Sequence, residues 1–399
     1  MLDPSCPSEL VRVQESMIKY IWTSDSLNLL EAPMQSIRFT FWQHMLSMHQ
    51  LPLLDALGTI PGCEVRLVCP PKIDSSRIAT GWDVPATKNV EILSLDRCAK
   101  RWLDDDFGRD SWHIFSGLGV YWGLRRPYFA AMRQGLRVVT MTERPTQTDP
   151  SRDALREVRY RWHALMWKNH IHRILALGEM TADSLVRFGF DREKIIEFGY
   201  FPAIADTTKK VAQNVRDGHP FEILVVASHE RWKRIDLILQ AVATQAENCH
   251  LTIVGTGTLS RRLKDLSTTL SFKHPITWID RLPNAEVQQR MAQSDLLILA
   301  SDYDGWGAVI NEALGVGTPA ICSSACGAKS LTQYGLPIQV FSSGDLSALR
   351  HMLEAQLVQG ELSVKDRQRT RQLAEATISP RAAAKRLWDK FAKLEADKK

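Results

Sequence analysis

Residues Leu296–Cys322 read LLILASDYDGWGAVINEALGVGTPAIC, and the order of apolar, polar and small residues in this stretch decides the fold. The run Leu296–Ala300 is five apolar residues long, and Leu296–Leu299 within it reads as a strand buried on both faces of a parallel sheet. It stops at the polar stretch Ser301–Asp304, after which Gly305 and Gly307 allow the backbone to come close to another group. Ala308–Gly315 follows with a helical pattern, and Pro319–Cys322 returns to a strand pattern. Strand, loop, helix and strand in this order form a βαβ unit. The free amides and the positive dipole end of its helix face the loop, a seat for a diphosphate. Glu312 lies one helical turn inside, eight residues after Asp304.

The same alternation extends outward in both directions. Strand patterns occur at Glu222–Ala227, Leu251–Val254, Ile276–Ile279 and Ile338–Phe341, with helical patterns at Ile235–Ala246 and Ala285–Gln293. A final helix opens at Ser379-Pro380, an N-cap followed by proline at the first helical position, and places Ala384, Leu387, Trp388, Phe391 and Leu394 on one face. Toward the N-terminus, Ser36–Trp42 is rich in β-branched and aromatic residues and reads as a strand. The loop QHMLSMHQ and a short helix ending near Pro61-Gly62 follow it. Further strands are predicted at Glu64–Cys69, Val90–Leu95, His113–Phe115, Val138–Met141 and Ile174–Leu177. Tyr200–Pro220 has proline, Asp-Gly and little apolar periodicity, which is linker chemistry. The expected organisation is an extension over 1–35, an α/β domain over 36–200 and a linker over 201–220. A second α/β domain over 221–378 and a C-terminal helix over 379–399 complete it.

Composition excludes several classes. The 399 residues are 44% hydrophobic and 24% charged, ordinary globular usage, and the length suits two or three domains. No apolar run approaches the ~20 residues of a spanning helix, and MLDPSCPSEL lacks a basic-then-apolar leader pattern. The expectation is a soluble protein of the cytoplasm. Seven cysteines without a CxxC pair predict reduced thiols, and nothing near Cys322 and Cys326 completes a zinc site. A net charge of +5 is too mild to argue for nucleic acid. The charge is uneven, however. Between Arg125 and Arg173 eleven basic residues stand against four acidic ones, a local excess of seven, with Trp122, Trp162 and Trp167 in or beside the stretch.

The segment from Asp304 through DGWG and NEAL to the GTP before the next strand resembles the carboxylate-x7-carboxylate signature of the retaining glycosyltransferases of family 4, the glycosyl transferases group 1. That resemblance implies the GT-B architecture, two Rossmann-like doubly wound domains facing a cleft. VASHERWKRIDLILQAV is similar to the family's strand, basic loop and helix beneath the donor diphosphate, and Lys233 falls on the phosphate-binding lysine. Ser228 and His229 stand where relatives have Gly-Arg, and Arg231 is the candidate for the missing charge. The resemblance implies that Glu312 accepts from the ribose hydroxyls. Asp304 and the backbone of Gly305, Trp306, Gly307 and Ala308 would hold the donor sugar and phosphates.

The N-terminal half matches less well. His44, His49 and Gln50 occupy the first loop, where relatives often have paired glycines, and Glu143 stands near the position of a histidine lining the sugar site. Asp304, Glu143 and His49 are therefore the candidate catalytic residues. Asp302-Tyr303-Asp304 spells Asp-x-Asp, a metal-binding motif of a different fold, but it overlaps the DGWG loop, and neither a metal nor another cofactor is expected. Asp104-Asp105-Asp106 reads as a solvated or capping run. The implied activity is transfer of a sugar from a UDP- or GDP-sugar to a glycan or lipid-linked acceptor, as in cell-surface polysaccharide synthesis. A nucleotide-sugar 2-epimerase of the same fold and a non-catalytic nucleotide-sugar- or membrane-binding protein are the alternatives. Ser151–Arg173 reads as one basic, aromatic helix in which no clean apolar stripe is evident. It packs its aromatic residues into the core or lays them on an anionic membrane at the inner face.

Overall fold

A computed structural model describes residues 36–70, 87–96, 98–119, 121–145, 150–205, 220–245 and 249–397. The extension over 1–35 and most of the linker, 206–219, lie outside the described residues. Everything below belongs to the unit Ile37–Lys399.

The first sheet contains β1 (Ile37–Trp42), β2 (Cys63–Cys69), β3 (Glu91–Ser94), β4 (Ser111–Ser116), β5 (Arg137–Thr142), β6 (Arg173–Leu177) and β7 (Ile195–Phe198). Their order is β3-β2-β1-β4-β5-β6-β7, all parallel. Around it lie α1 (Leu51–Gly58), α2 (Trp122–Arg133), α3 (Pro150–Trp167) and α4 (Glu179–Phe188). The central strands are buried on both faces, which is why β1 and β4 read as continuous apolar and aromatic runs. Their polar members are paired inside the sheet. The Trp42 indole donates to His113 Nδ1 at 3.1 Å, and burial pushes the His113 imidazole down to about 4. The ring is therefore neutral, with its Nε2 proton on the Gly108 carbonyl at 2.8 Å.

The second sheet contains β8 (Phe221–Val226), β9 (Cys249–Val254), β10 (Thr277–Ile279), β11 (Leu296–Leu299), β12 (Ala320–Ser323) and β13 (Ile338–Phe341). The order is β10-β9-β8-β11-β12-β13, again all parallel. Its helices are α5 (Ile235–Ala243), α6 (Ser260–Thr269), α7 (Asn284–Gln293), α8 (Ala308–Gly315), α9 (Leu346–Gln359) and α10 (Val364–Ile378). Each sheet changes direction of growth at its first strand, between β1 and β4 and between β8 and β11. Open α/β sheets bind ligands at the carboxyl ends of such a switch point. The two switch points open on the same cleft, so the fold is two Rossmann-like domains facing each other, the GT-B arrangement.

The last helix, α11 (Pro380–Ala396), begins where Ser379 accepts the amide of Ala382 at 3.1 Å. Its buried face reaches the first sheet, where the Phe391 ring stands edge-on to Phe39 and Trp112 at 5.2 and 4.9 Å between centroids. Arg137 of β5 holds Glu395 at 2.8 Å. The helix thus braces the N-terminal domain from outside.

Two sequence expectations need correction. Ile195–Phe198 is a seventh strand of the first sheet that its four residues did not betray. Ser151–Arg173 is not one helix: α3 ends at Trp167, a single 3-10 turn follows, and Arg173 opens β6. The structure also sorts the apolar residues of α3 into two sets. Ala164 is buried, and Tyr160 and Trp167 pack against the same core, while Leu155, Val158, Trp162, Leu165 and Met166 point outward. The Asp run caps, because Asp105 accepts the amide of Gly108 at 2.6 Å and pairs with Arg66 at 2.8 Å.

Candidate functional site

The loop after β11 and the start of α8 form one wall of a cavity of about 490 Å³. Asp304, Gly305, Trp306, Gly307, Ala308 and Lys233 line that wall. From the first domain come the loop after β1, with Gln43, His44 and His49, and Ser116, Tyr121, Glu143 and Tyr200. The ends of β1, β4, β5, β7, β8 and β11 converge here, as the two switch points require.

The two glycines of the loop have different physical reasons. Gly307 sits at φ +88°, a backbone conformation that strains any side chain, and starts α8 with its amides aimed at the cavity. At Gly305 a Cβ would lie 2.2 Å from a carboxylate oxygen of Glu143, so a glycine lets the two domains touch. Trp306 contributes backbone to the cavity wall. Its buried ring turns inward, with the indole N–H on Asn311 Oδ1 at 2.8 Å. Cys326 fastens the loop from below, its thiol donating to the Trp306 carbonyl at 3.0 Å.

Lys233 and Asp304 form an ion pair at 2.6 Å, and both side chains are mostly shielded. Lys233 ends a 3-10 turn whose next residue, Arg234, has φ +48°, the only described non-glycine residue in the left-handed region. Such a conformation crowds any Cβ against the backbone carbonyl and is kept where geometry matters. Here it sends Lys233 toward the cleft and Arg234 away from it. Arg234 pairs with Asp302 at 3.0 Å and with Asp236 at 3.2 Å, and Ser343 also donates to Asp302 at 2.9 Å. Asp302 and Asp304 therefore belong to different cations and do not converge. Arg231, the sequence candidate for a second phosphate charge, is exposed and is not among the residues that line this cavity.

Glu143 faces the loop after β11 from the end of β5, and Tyr200 donates to its Oε1 at 2.5 Å. Burial, and behind it the nearby charge of Asp304, hold its carboxyl above the usual carboxylate range. His44 is stacked on Tyr121 with ring centroids 3.6 Å apart. His49 lies in the same loop, its ring 6.4 Å from that of Tyr200.

Glu312 is set apart from this cavity. It is 3% exposed, and burial pushes its carboxyl up to about 7 despite a hydrogen bond from Asn284 Nδ2 at 3.0 Å. Asn284 accepts in turn from Gln288, whose amide bonds the Ala203 carbonyl at 3.0 Å and the Ala205 amide at 2.5 Å. The carboxylate is thereby linked to the segment leaving the first domain.

Sequence reasoning missed Tyr121, Tyr200, Asn284, Gln288 and Arg234. Tyr200 fell in apparent linker because β7 went unrecognised. The others are ordinary polar residues whose partners are distant in the chain. Arg234 alone carried a local signal, since Asp236 two residues later is within reach of its guanidinium.

Residues 206–362 match the family model for glycosyl transferases group 1. The amylovoran biosynthesis glycosyltransferase AmsK of Erwinia amylovora is 26% identical over 204 residues, which are 48% of this chain and 48% of that protein. The chain thus matches about half the length of that curated relative. Among solved structures, Anabaena HepE in complex with UDP superposes with a TM-score of 0.66 at 13% identity, covering 90% of this chain and all of that one. The lipopolysaccharide outer core galactosyltransferase WaaB, in its apo form, gives 0.64 at 15% identity over 90% of this chain and 100% of its own. The structural likenesses establish the GT-B fold.

Proposed function

We propose that this chain is a retaining glycosyltransferase of family 4 that carries a sugar from a nucleotide diphosphate sugar to an acceptor hydroxyl in the cleft. The observation that supports this reading best is the placement of Lys233, Asp304 and the amino end of α8 on one wall, opposite Glu143. A diphosphate on that wall meets the Lys233 ammonium and the free amides of Gly307 and Ala308. These donors are fixed before reaction and act where the leaving phosphate gains charge, which lowers the barrier. The acceptor oxygen bonds to the anomeric carbon as the sugar–phosphate bond breaks. The electron pair goes to the departing nucleotide and the acceptor proton to its phosphate oxygen. Asp304, released from Lys233 by the diphosphate, takes sugar hydroxyls, and Glu143 orients a hydroxyl from the other side. Glu312 accepts from the ribose, and a depression lined by Thr256, Trp278, Asp280 and Arg281 at the ends of β9 and β10 gives room for the base.

Incubating the purified protein with UDP- and GDP-sugars and scoring free nucleotide tests the reading. Release of nucleotide with retained anomeric configuration in the product supports it. Interconversion of donor sugars without acceptor replaces it with an epimerase, and no turnover of any donor replaces it with a binding protein. Because Lys233 and helix amides neutralise the diphosphate in this reading, transfer should persist in excess EDTA. Loss of activity restored by magnesium or manganese would return Asp302 and Asp304 to consideration as ligands.

The acceptor side points to a lipid-linked substrate at an anionic surface. Trp122 of α2 is 85% exposed, Leu165 of α3 is 77% exposed, and with Leu155, Val158 and Trp162 they form outward apolar positions flanked by Arg125, Arg126, Arg156, Arg159 and Arg161. Arg156 and Arg161 are already paired with Asp153 and Glu157, so the apolar residues carry most of the attraction. Trp162→Ser combined with Leu165→Ser should lower sedimentation with phosphatidylglycerol vesicles several-fold without changing the unfolding midpoint. Equal sedimentation of both proteins would leave a soluble acceptor.

A further inference from the structure

We propose that the pocket behind Glu143 takes an acidic acceptor, whose phosphate or carboxylate group pairs with Arg144, with the charge of Arg187 nearby. The proposal rests on the glycosyltransferase reading only in naming the ligand an acceptor. The pocket, about 300 Å³, continues the main cavity, with which it shares His44, Ser116, Tyr121, Glu143 and Tyr200. It is walled by Tyr160 and Tyr303 and ends at Arg144 and Pro145. Aromatic walls of this kind suit the faces of a sugar ring.

Arg144 is the unexplained group. Its guanidinium is half-buried, yet no carboxylate among the described residues pairs with it. Its contacts are the Met180 sulfur at 3.9 Å and the Tyr303 ring, whose centroid lies 5.1 Å away. Arg66, Arg137 and Arg367 are matched with acids, and Arg386, which also lies over aromatic rings, donates to the Thr377 carbonyl, whereas Arg144 ends in a pocket. A second guanidinium, Arg187 of α4, is close enough to repel Arg144 and bonds only the Ser184 hydroxyl at 3.2 Å among the described residues. Burial foremost, with that like charge adding to it, pulls Arg144 below its usual range. Glu143 shares the pocket, but its carboxylate is engaged by Tyr200 and lies against Gly305. A half-buried guanidinium at the end of a cavity, with no acid beside it among the described residues, is costly to desolvate and is satisfied by an anion accepting from it. The Tyr303 hydroxyl donates to the Arg144 carbonyl, so the loop that holds the donor side also fixes the backbone of this arginine.

The test uses methyl glucoside, methyl glucuronide and glucose 6-phosphate as neutral, carboxylate and phosphate probes. Binding is read by saturation-transfer NMR with the cleft saturated by UDP. UDP affinity is measured separately by calorimetry, so that failure of the donor site is seen on its own. One or both acidic probes should bind the wild type roughly tenfold or more tighter than the neutral sugar. Preference for one acidic probe identifies the group. Arg144→Gln should erase the preference and Arg187→Gln should reduce it, with UDP affinity unchanged in both. Arg187 is exposed, so its variant keeps the test readable if Arg144→Gln does not fold. Equal binding of the three probes, no binding of any, or a preference that survives both substitutions overturns the proposal.

Discussion

Glu312→Ala is expected to lower transfer by two to four decades and to weaken UDP or GDP binding comparably, while the protein stays folded. A carboxylate accepting from two ribose hydroxyls makes two charge-assisted bonds, each worth about 1.5–3 kcal/mol. The pH dependence of binding gives an independent signature. Burial has pushed the carboxyl up to about 7, so without ligand it is largely protonated at pH 6 and largely ionised at pH 8. If the ionised form accepts from the ribose, nucleotide affinity should rise about tenfold between those two values, the effect of roughly one decade of deprotonation. Glu312→Gln should bind weakly at both. The linkage to folding has the opposite sign. The native carboxyl holds its proton more tightly than the unfolded one. Unliganded stability should therefore fall as pH rises from the ordinary carboxylate range toward about 7. Calorimetric titration with UDP and GDP at the two pH values checks the prediction. Unchanged turnover in a folded Glu312→Ala protein would remove this residue from the donor site.

Lys233→Ala should reduce kcat about 10²–10³-fold with a smaller change in KM, because the ammonium opposes charge that grows only as the phosphate departs. The ion pair at 2.6 Å adds a second consequence. Removing the lysine leaves the partly buried Asp304 carboxylate unpaired beside the seat of a diphosphate, so repulsion compounds the loss. Asp304→Asn in the Lys233→Ala background should then recover part of the activity or cost nothing further, although Asp304→Asn alone impairs the wild type. This non-additivity is measurable as a double-mutant cycle in kcat/KM. A Lys233→Ala enzyme within threefold of wild type would make the pair a surface contact and nothing more.

Much of the second domain was legible because its signals are local. Leu296–Leu299, Ile338–Phe341 and Ala308–Gly315 have the bounds their apolar runs predict, since a strand buried on both faces and a helix after a glycine turn each leave an unambiguous pattern. Ser379 as an N-cap was equally plain, being decided by the hydroxyl and the proline after it. Edge strands are different. β7 is only four residues long and lies at the sheet margin, so half its positions carry no burial constraint and its sequence, IIEF, resembles any short apolar stretch.

By itself, the sequence determined the class of fold and the loop that makes the cavity wall, because strand end, glycine turn and helix start are adjacent in the chain. It also determined which lysine and which aspartate stand at that loop. Only the tertiary structure decided what those residues do to one another. Lys233 and Asp304 are 71 positions apart, Glu143 meets Tyr200 across 57, and Tyr303 reaches Arg144 across 159. No local period encodes such distances. The same holds for α3, where the even mixture of Trp, Leu and Arg in the sequence became an inward and an outward face only against the core it packs on. Local sequence fixes where a strand or helix begins, whereas electrostatic partners and exposed faces are fixed by the packing of one element on another.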